Sequence, residues 1–320
     1  MGIMVQGKWR IEDFAERNTK GSYNRATTSF RNWIGDNDFP AKAGRYHLVV
    51  AHACPWAHRT LILRALKGLE AVISVAFVEP LMLDNGWVLA DGGDPVTGAQ
   101  YAHQVYAQAA ADYSGRCSVP IFWDKQSKTI VSNESSEIIR MLNTAFDHLA
   151  TKSLPDLYPE DLRADIDAVN GVVYENINDG VCRTGFATSQ EAYDEAVVTL
   201  FDQLDALEQR LGEQRYLVGN TLTEADLRLW TTLVRFDPVY VTHFKCDRKR
   251  IADYPNLSGF LKEIYQLPGV AETVNMAHIR HHYFRSHPTV NPHGIISIGP
   301  ELDWNTPHGR ERLGEREIID

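Results

Sequence analysis

Cysteine is scarce in this chain, and the four present stand far apart: Cys54, Cys117, Cys182 and Cys246 form no C-x-x-C pair. That spacing excludes a dithiol redox motif and a cysteine zinc site, and it is too sparse for a disulfide scaffold. Long apolar runs are also missing. No stretch approaches the roughly 20 residues that span a bilayer, and the opening MGIMVQGKWRIEDF carries no apolar core of signal-peptide length. A myristoylation signal fails at position six, which is Gln6. Positive charge is in deficit, with 32 Lys and Arg against 42 Asp and Glu and a net charge of -10. An acidic chain repels nucleic acid and anionic lipid, so neither is expected as a partner. An anionic substrate would need a local basic patch opposing that field. Reduced thiols with no leader and no span point to the cytoplasm.

What is present suits a two-domain globular protein: 320 residues, 44% hydrophobic and 23% charged. Residues 1–44 read as an extended arm pinned to the body by Trp9, Phe14, Tyr23, Phe30, Trp33 and Phe39. From 45 to 150 the pattern is α/β. Tyr46–Ala51 is a buried strand, Leu61, Leu63, Leu66 and Leu69 mark a helix ending near Gly68, and Val72–Val78 is a second strand. Strand, helix and strand of this length make a parallel β-α-β unit. Residues 80–115 read as a long insertion with a short helix around 100–111. Val119–Trp123 is a third strand, whose Pro120 requires an edge position or a cis bond, and Lys128–Val131 is a fourth. Ser132–Glu137 then opens a helix with a polar first turn.

Residues 151–290 read as all-helical. Val197, Leu200, Phe201, Leu204, Leu207 and Leu211 form an amphipathic stripe, and Thr223 with Asp226 forms a capping box. Residues 291–320 read as an irregular tail, charged and mobile from Asn305 onward. His58 reads as a solvent-facing position. His278, His281, His282 and His287 match no zinc motif, so no metal is expected, and Asp91-Gly92-Gly93-Asp94 lacks the lysine of a phosphate loop.

The chemistry gathers at Ala53-Cys54-Pro55-Trp56-Ala57, where the first buried strand hands over to its helix. Proline favours the first helical position, which makes Cys54 the N-cap. A sulfur there sits beside unpaired N–H groups and the positive end of the helix dipole, and both favour thiolate over thiol. The plain alternative is a half-buried structural cysteine. A dithiol oxidoreductase would carry a second cysteine at Ala57. Without it, a mixed disulfide on Cys54 must be opened by an external thiol, and glutathione is the abundant one. The Val119 backbone beside Pro120 suits pairing with an extended peptide. Glu134 and Ser135 at a helix start suit the charged end of a tripeptide, Glu134 taking the ammonium and Ser135 with backbone N–H groups the carboxylate. Taken singly, each of these is equally an edge strand or an ordinary helix cap.

Together the motifs Cys54-Pro55-Trp56-Ala57-His58-Arg59-Thr60, Val119-Pro120, Asn133-Glu134-Ser135, Leu222–Asp226, Arg235-Phe236-Asp237 and His243-Phe244-Lys245-Cys246 resemble the glutathionyl-hydroquinone reductases, the xi class of glutathione transferases. The resemblance runs from about residue 40 to 300. It implies a thioredoxin-like N-terminal domain followed by a glutathione-transferase-type helical domain, glutathione as co-substrate, glutathionyl-hydroquinones as substrates, and a homodimer. By motif match Cys54 is the nucleophile, with Trp87, Val119, Glu134 and Ser135 at the glutathione site. Arg116 is added here as a carboxylate partner. Tyr283 matches one tyrosine of the family's hydroquinone pocket. Where the family carries Gly-Val-Tyr, this chain has Gly180-Val181-Cys182, and Tyr174 and Tyr240 are further aromatics for that pocket. The lost phenol puts quinol binding in question, and Cys182 is alternatively a new thiol near Cys54. Two rivals remain open: an omega-type thiol transferase or dehydroascorbate reductase, and a non-catalytic binding module of the same fold.

Overall fold

A computed structural model describes residues 2–11, 20–23, 25, 27–35 and 38–314; Phe14 lies outside them. It divides into two units. The first comprises Met1–Ala15, Arg25–Lys152 and Thr273–Ser286; the second comprises Glu16–Asn24, Ser153–Glu272 and His287–Asp320.

The first unit opens with a hairpin of β1 (Ile3–Val5) and β2 (Lys8–Arg10). Gln6 and Gly7 turn it with φ of 49° and 73°, the pair of positive values that a tight type I′ turn requires. Sequence reading missed this hairpin because three-residue strands are too short to show alternation. The hairpin is tied down by backbone hydrogen bonds between Met4 and Gly115 of 3.0 and 2.9 Å. Trp9 stacks on His103 at 4.5 Å.

The main sheet has the order β5-β4-β3-β6-β7, built from β3 (Tyr46–Val50), β4 (Ser74–Leu83), β5 (Gly86–Leu89), β6 (Ile121–Asp124) and β7 (Thr129–Ser132). β3 and β4 run parallel across α1 (Pro55–Leu66), as the β-α-β pattern predicts. The other neighbours are antiparallel. Val119–Pro120 is cis and lies just ahead of β6. β4 is longer than expected and folds back into β5, with a register irregularity between Val78 and Met82. Pro80, which lacks a donor, sits in that irregularity. The turn signal Asp84-Asn85-Gly86 announces the hairpin, so Trp87 stands on a strand rather than in a loose insertion. α2 (Ala102–Ala109) follows. The loop before it is anchored by Asp94, which is buried 3.1 Å from the His47 ring and accepts from the Val96 and Thr97 backbone.

α3 (Ser135–Thr144) completes the expected order. α10 (Met276–Ser286) corrects the expected boundary of the helical domain at residue 290, for it packs on β4 in the first unit. Its His278 and His282 rings lie 2.9 Å from the carbonyls of Val78 and Pro80, satisfying the backbone freed by the irregular strand. His58 is also corrected: it is fully buried, with Nε2 2.7 Å from Thr273 Oγ1.

The second unit is helical, with α4 (Arg163–Val173), α5 (Gly180–Gly185), α6 (Gln190–Glu213), α7 (Glu224–Arg235), α8 (Val241–His243) and α9 (Pro255–Tyr265). The α6 stripe is buried at Leu200, Phe201, Leu204, Leu207 and Leu211. Gly185 allows α5 to close on Phe244, since a Cβ there would come within 2.1 Å of that ring. Helical π turns, Tyr174–Asn178 and Phe236–Tyr240, follow α4 and α7. The tail is a correction. Arg310 is 2% exposed and donates to Glu263 Oε2 at 2.9 Å and to the Leu211 carbonyl at 3.0 Å, so residues up to 314 are pinned rather than loose.

Candidate active site

Cys54 is the N-cap of α1, with φ -76°, ψ 117° and Pro55 as the first helical residue. Its own carbonyl already accepts from the His58 N–H at 3.0 Å, while the side chain stays half-buried. The Cys54 thiol donates to the Val119 carbonyl at 3.4 Å. The Val119 backbone predicted to pair with a peptide is therefore beside the sulfur. The other thiols are built differently: burial pushes the Cys117 and Cys246 thiols up, toward inert neutral forms.

Glu134 caps α3. Its carboxylate accepts from the Ser136 N–H at 3.0 Å, the Ser136 hydroxyl at 2.7 Å and the Thr28 hydroxyl at 3.1 Å. Burial alone would raise its pKa. Those hydrogen bonds and the nearby Arg59 guanidinium outweigh it and hold the carboxyl below its ordinary range. Ser135 is buried at 3% exposure, with its hydroxyl 3.4 Å from Arg59 Nη1.

Trp87, 8% exposed, stacks on the His282 ring at 4.8 Å. Arg116 is half-buried, and its carbonyl accepts from the Tyr113 hydroxyl at 2.8 Å. Cys54, Trp87, Arg116, Val119, Glu134, Ser135 and Tyr283 thus all belong to the first unit, and Tyr283 is buried edge-on to His282. Cys182, Tyr174 and Tyr240 belong to the second. Within it, Tyr174 is 40% exposed at the start of one π turn, and Cys182 is half-buried on α5. Tyr240 is fully buried and stacked on Phe244 at 5.5 Å.

Among the described residues no three His, Cys, Asp or Glu side chains come together as a metal site, and no helix is long and apolar enough to cross a membrane. Sequence reasoning missed Arg25 and Thr28 as neighbours of this region. Thr28 reaches Glu134, and Phe30 reaches Asn133, each across a chain separation of more than 100 residues, so no local signal exposes these contacts.

With this geometry in hand, comparison with known proteins decides the family. The models for the glutathione S-transferase N-terminal and C-terminal domains match residues 53–145 and 190–263. The chain is 57% identical to glutathionyl-hydroquinone reductase YqjG of Escherichia coli over 97% of this chain and 99% of that protein. It belongs to the xi-class glutathione transferases, the glutathionyl-hydroquinone reductase family. The glutathione-bound structure of YqjG from Escherichia coli superposes with a TM-score of 0.86 at 60% identity, covering 88% of this chain and 96% of that one. The xi-class transferase of Natrialba magadii superposes with a TM-score of 0.90 at 47% identity, covering 98% and 97%. A thioredoxin-like domain followed by a helical transferase domain is therefore this chain's fold class, as its resemblance implied.

Proposed function

We propose that the protein reduces S-glutathionyl-hydroquinones with glutathione, using Cys54 as nucleophile. The Cys54 thiolate attacks the sulfur of the substrate's glutathionyl group. The bond from that sulfur to the aryl carbon breaks, its electron pair stays on carbon, and a proton completes the hydroquinone. Cys54 is left in a mixed disulfide with glutathione. A second glutathione thiolate attacks the glutathione sulfur of that disulfide, releasing glutathione disulfide and restoring Cys54. The carrying observation is a half-buried cysteine at the first turn of α1, donating to Val119, with alanine where a resolving cysteine would stand.

In this reading Val119 pairs with the cysteinyl backbone of glutathione, Glu134 holds its ammonium, and Ser135 with the first N–H groups of α3 holds a carboxylate. Trp87 and Arg116 close the tripeptide site. Tyr283, by its match to the family's hydroquinone pocket, offers a ring for the quinol. Purified enzyme should turn over a glutathionyl-hydroquinone with glutathione, and Cys54→Ser should abolish that turnover. Unchanged turnover in Cys54→Ser would overturn the assignment. An omega-type thiol transferase uses the same single cysteine, and relative rates on a mixed disulfide and a glutathionyl-hydroquinone separate the two.

A further inference from the structure

The chain carries a net charge of -10, yet glutathione, with two carboxylates and one ammonium, is itself an anion at neutral pH. A field of like sign lowers the concentration of such a ligand near the protein unless local cations oppose it. The first unit contains such a group of cations, and half of it comes from the N-terminal arm. The Arg59 guanidinium lies 4.5 Å from the centroid of the Trp56 ring, and the Arg25 guanidinium 4.8 Å from the same centroid. Trp56 is two residues from Cys54. Arg59 is 1% exposed and reaches the Ser135 hydroxyl at 3.4 Å, whereas Arg25 is only half-buried.

The arm then continues along the start of α3. Thr28 donates to Glu134 Oε2 at 3.1 Å. Phe30 and Asn133 exchange two hydrogen bonds, the Phe30 N–H to Asn133 Oδ1 at 3.1 Å and the Asn133 N–H to the Phe30 carbonyl at 3.2 Å. This reciprocal clamp fixes the arm beside Glu134. The Thr28 bond engages one carboxylate oxygen while Ser136 engages the other, which sets the plane that the carboxylate presents to an ammonium.

We infer that the arm is part of the glutathione site through two residues: Arg25 binds a glutathione carboxylate from its stack on Trp56, and Thr28 is a positioning residue acting through Glu134. The inference rests on the glutathione-dependent reading above and adds to it a specificity for the anionic, zwitterion-ended tripeptide. A thiol without those charges, such as 2-mercaptoethanol, gains nothing from the arm.

The test uses the full-length enzyme, with glutathione titrated calorimetrically and turnover measured on a glutathionyl-hydroquinone. Arg25→Ala should weaken glutathione about tenfold, the size of one charge-assisted contact, and Arg25→Lys should recover part of it by restoring the charge without the planar stack. The Arg25→Ala deficit should shrink at about 0.5 M salt, where screening removes the advantage of the charge. Thr28→Val should raise the KM for glutathione roughly threefold to fivefold with a smaller change in kcat, and Thr28→Ser should restore it. With the glutathionyl-hydroquinone saturating, the KM for 2-mercaptoethanol as the thiol that opens the mixed disulfide should respond to neither position. An active wild type whose glutathione affinity is unmoved by Arg25→Ala and Thr28→Val overturns the inference, even if both variants melt earlier. A wild type with no glutathione-dependent turnover overturns the proposed function instead.

Discussion

The starts of α3 and α7 use the same chemistry and end in opposite electrostatic states. Each helix start holds an acidic side chain accepting from backbone N–H groups, Glu134 from Ser136 at α3 and Asp226 from Thr223 and Leu217 at α7. At α7 the box is closed on itself. Asp226 is fully buried, accepts from the Thr223 N–H and the Leu217 N–H at 2.8 Å each, and burial lifts its carboxyl to about 7 despite those bonds. At α3 the hydrogen bonds and Arg59 win over desolvation, and Glu134 stays below its ordinary range with its carboxylate half-buried. A cap that is sealed off holds the fold together, while a cap left open to solvent keeps a fixed charge available for a ligand.

Breaking the sealed cap should have the largest effect. Asp226→Ala leaves buried N–H groups without an acceptor and should lower unfolding free energy by about 2–4 kcal/mol in urea titration. The fraction that remains folded should keep the wild-type KM for glutathione, and a raised KM would show that α7 acts on the site directly. Glu134→Gln should do the reverse. It removes a charge-assisted contact, so the KM for glutathione should rise roughly tenfold while the urea midpoint moves little. A large midpoint loss at unchanged KM would make α3's cap a structural device like α7's.

The smallest and most diagnostic effect is in pH dependence. Asp226 has a raised pKa in the fold, so the stability it contributes is complete below its unfolded value near 3.8 and is lost as pH rises through about 7. Glu134 is depressed from 4.5, so its contribution is present above that value and lost as pH falls through the lower one. Urea midpoints should therefore show the wild-type advantage over Asp226→Asn shrinking from mild acid to neutrality. The advantage over Glu134→Gln should hold at neutrality and decline only in acid. Slopes of the same sign would defeat the contrast drawn here.

Much of this was readable in advance because it is local. A Cys-Pro pair after a buried strand places a sulfur at a helix start whatever surrounds it, since proline has no N–H to lose at that position. Thr223 and Asp226 lie three residues apart, which is the reach of a capping box. The parallel β3 and β4 follow from the length of α1 between them. β5 escaped because its hairpin signal sat in a polar stretch and Pro80 masked the strand before it. His58 read as exposed because helical periodicity alone does not reveal a partner such as Thr273, 215 positions away.

The amino-acid order by itself determined the cysteine at a helix start, the lack of a partner thiol beside it, the strand-helix-strand frame and the capped helices, all of which depend on neighbours within a few residues. Tertiary structure alone decided that α10 packs on β4 through His278 and His282, that Arg310 is buried against Glu263, that Thr28 reaches Glu134 and that Arg25 lies over the Trp56 ring. Those pairings join residues from about 30 to about 200 positions apart. Their energy comes from burying polar groups only where a partner meets them, a condition that no repeating pattern of side chains records.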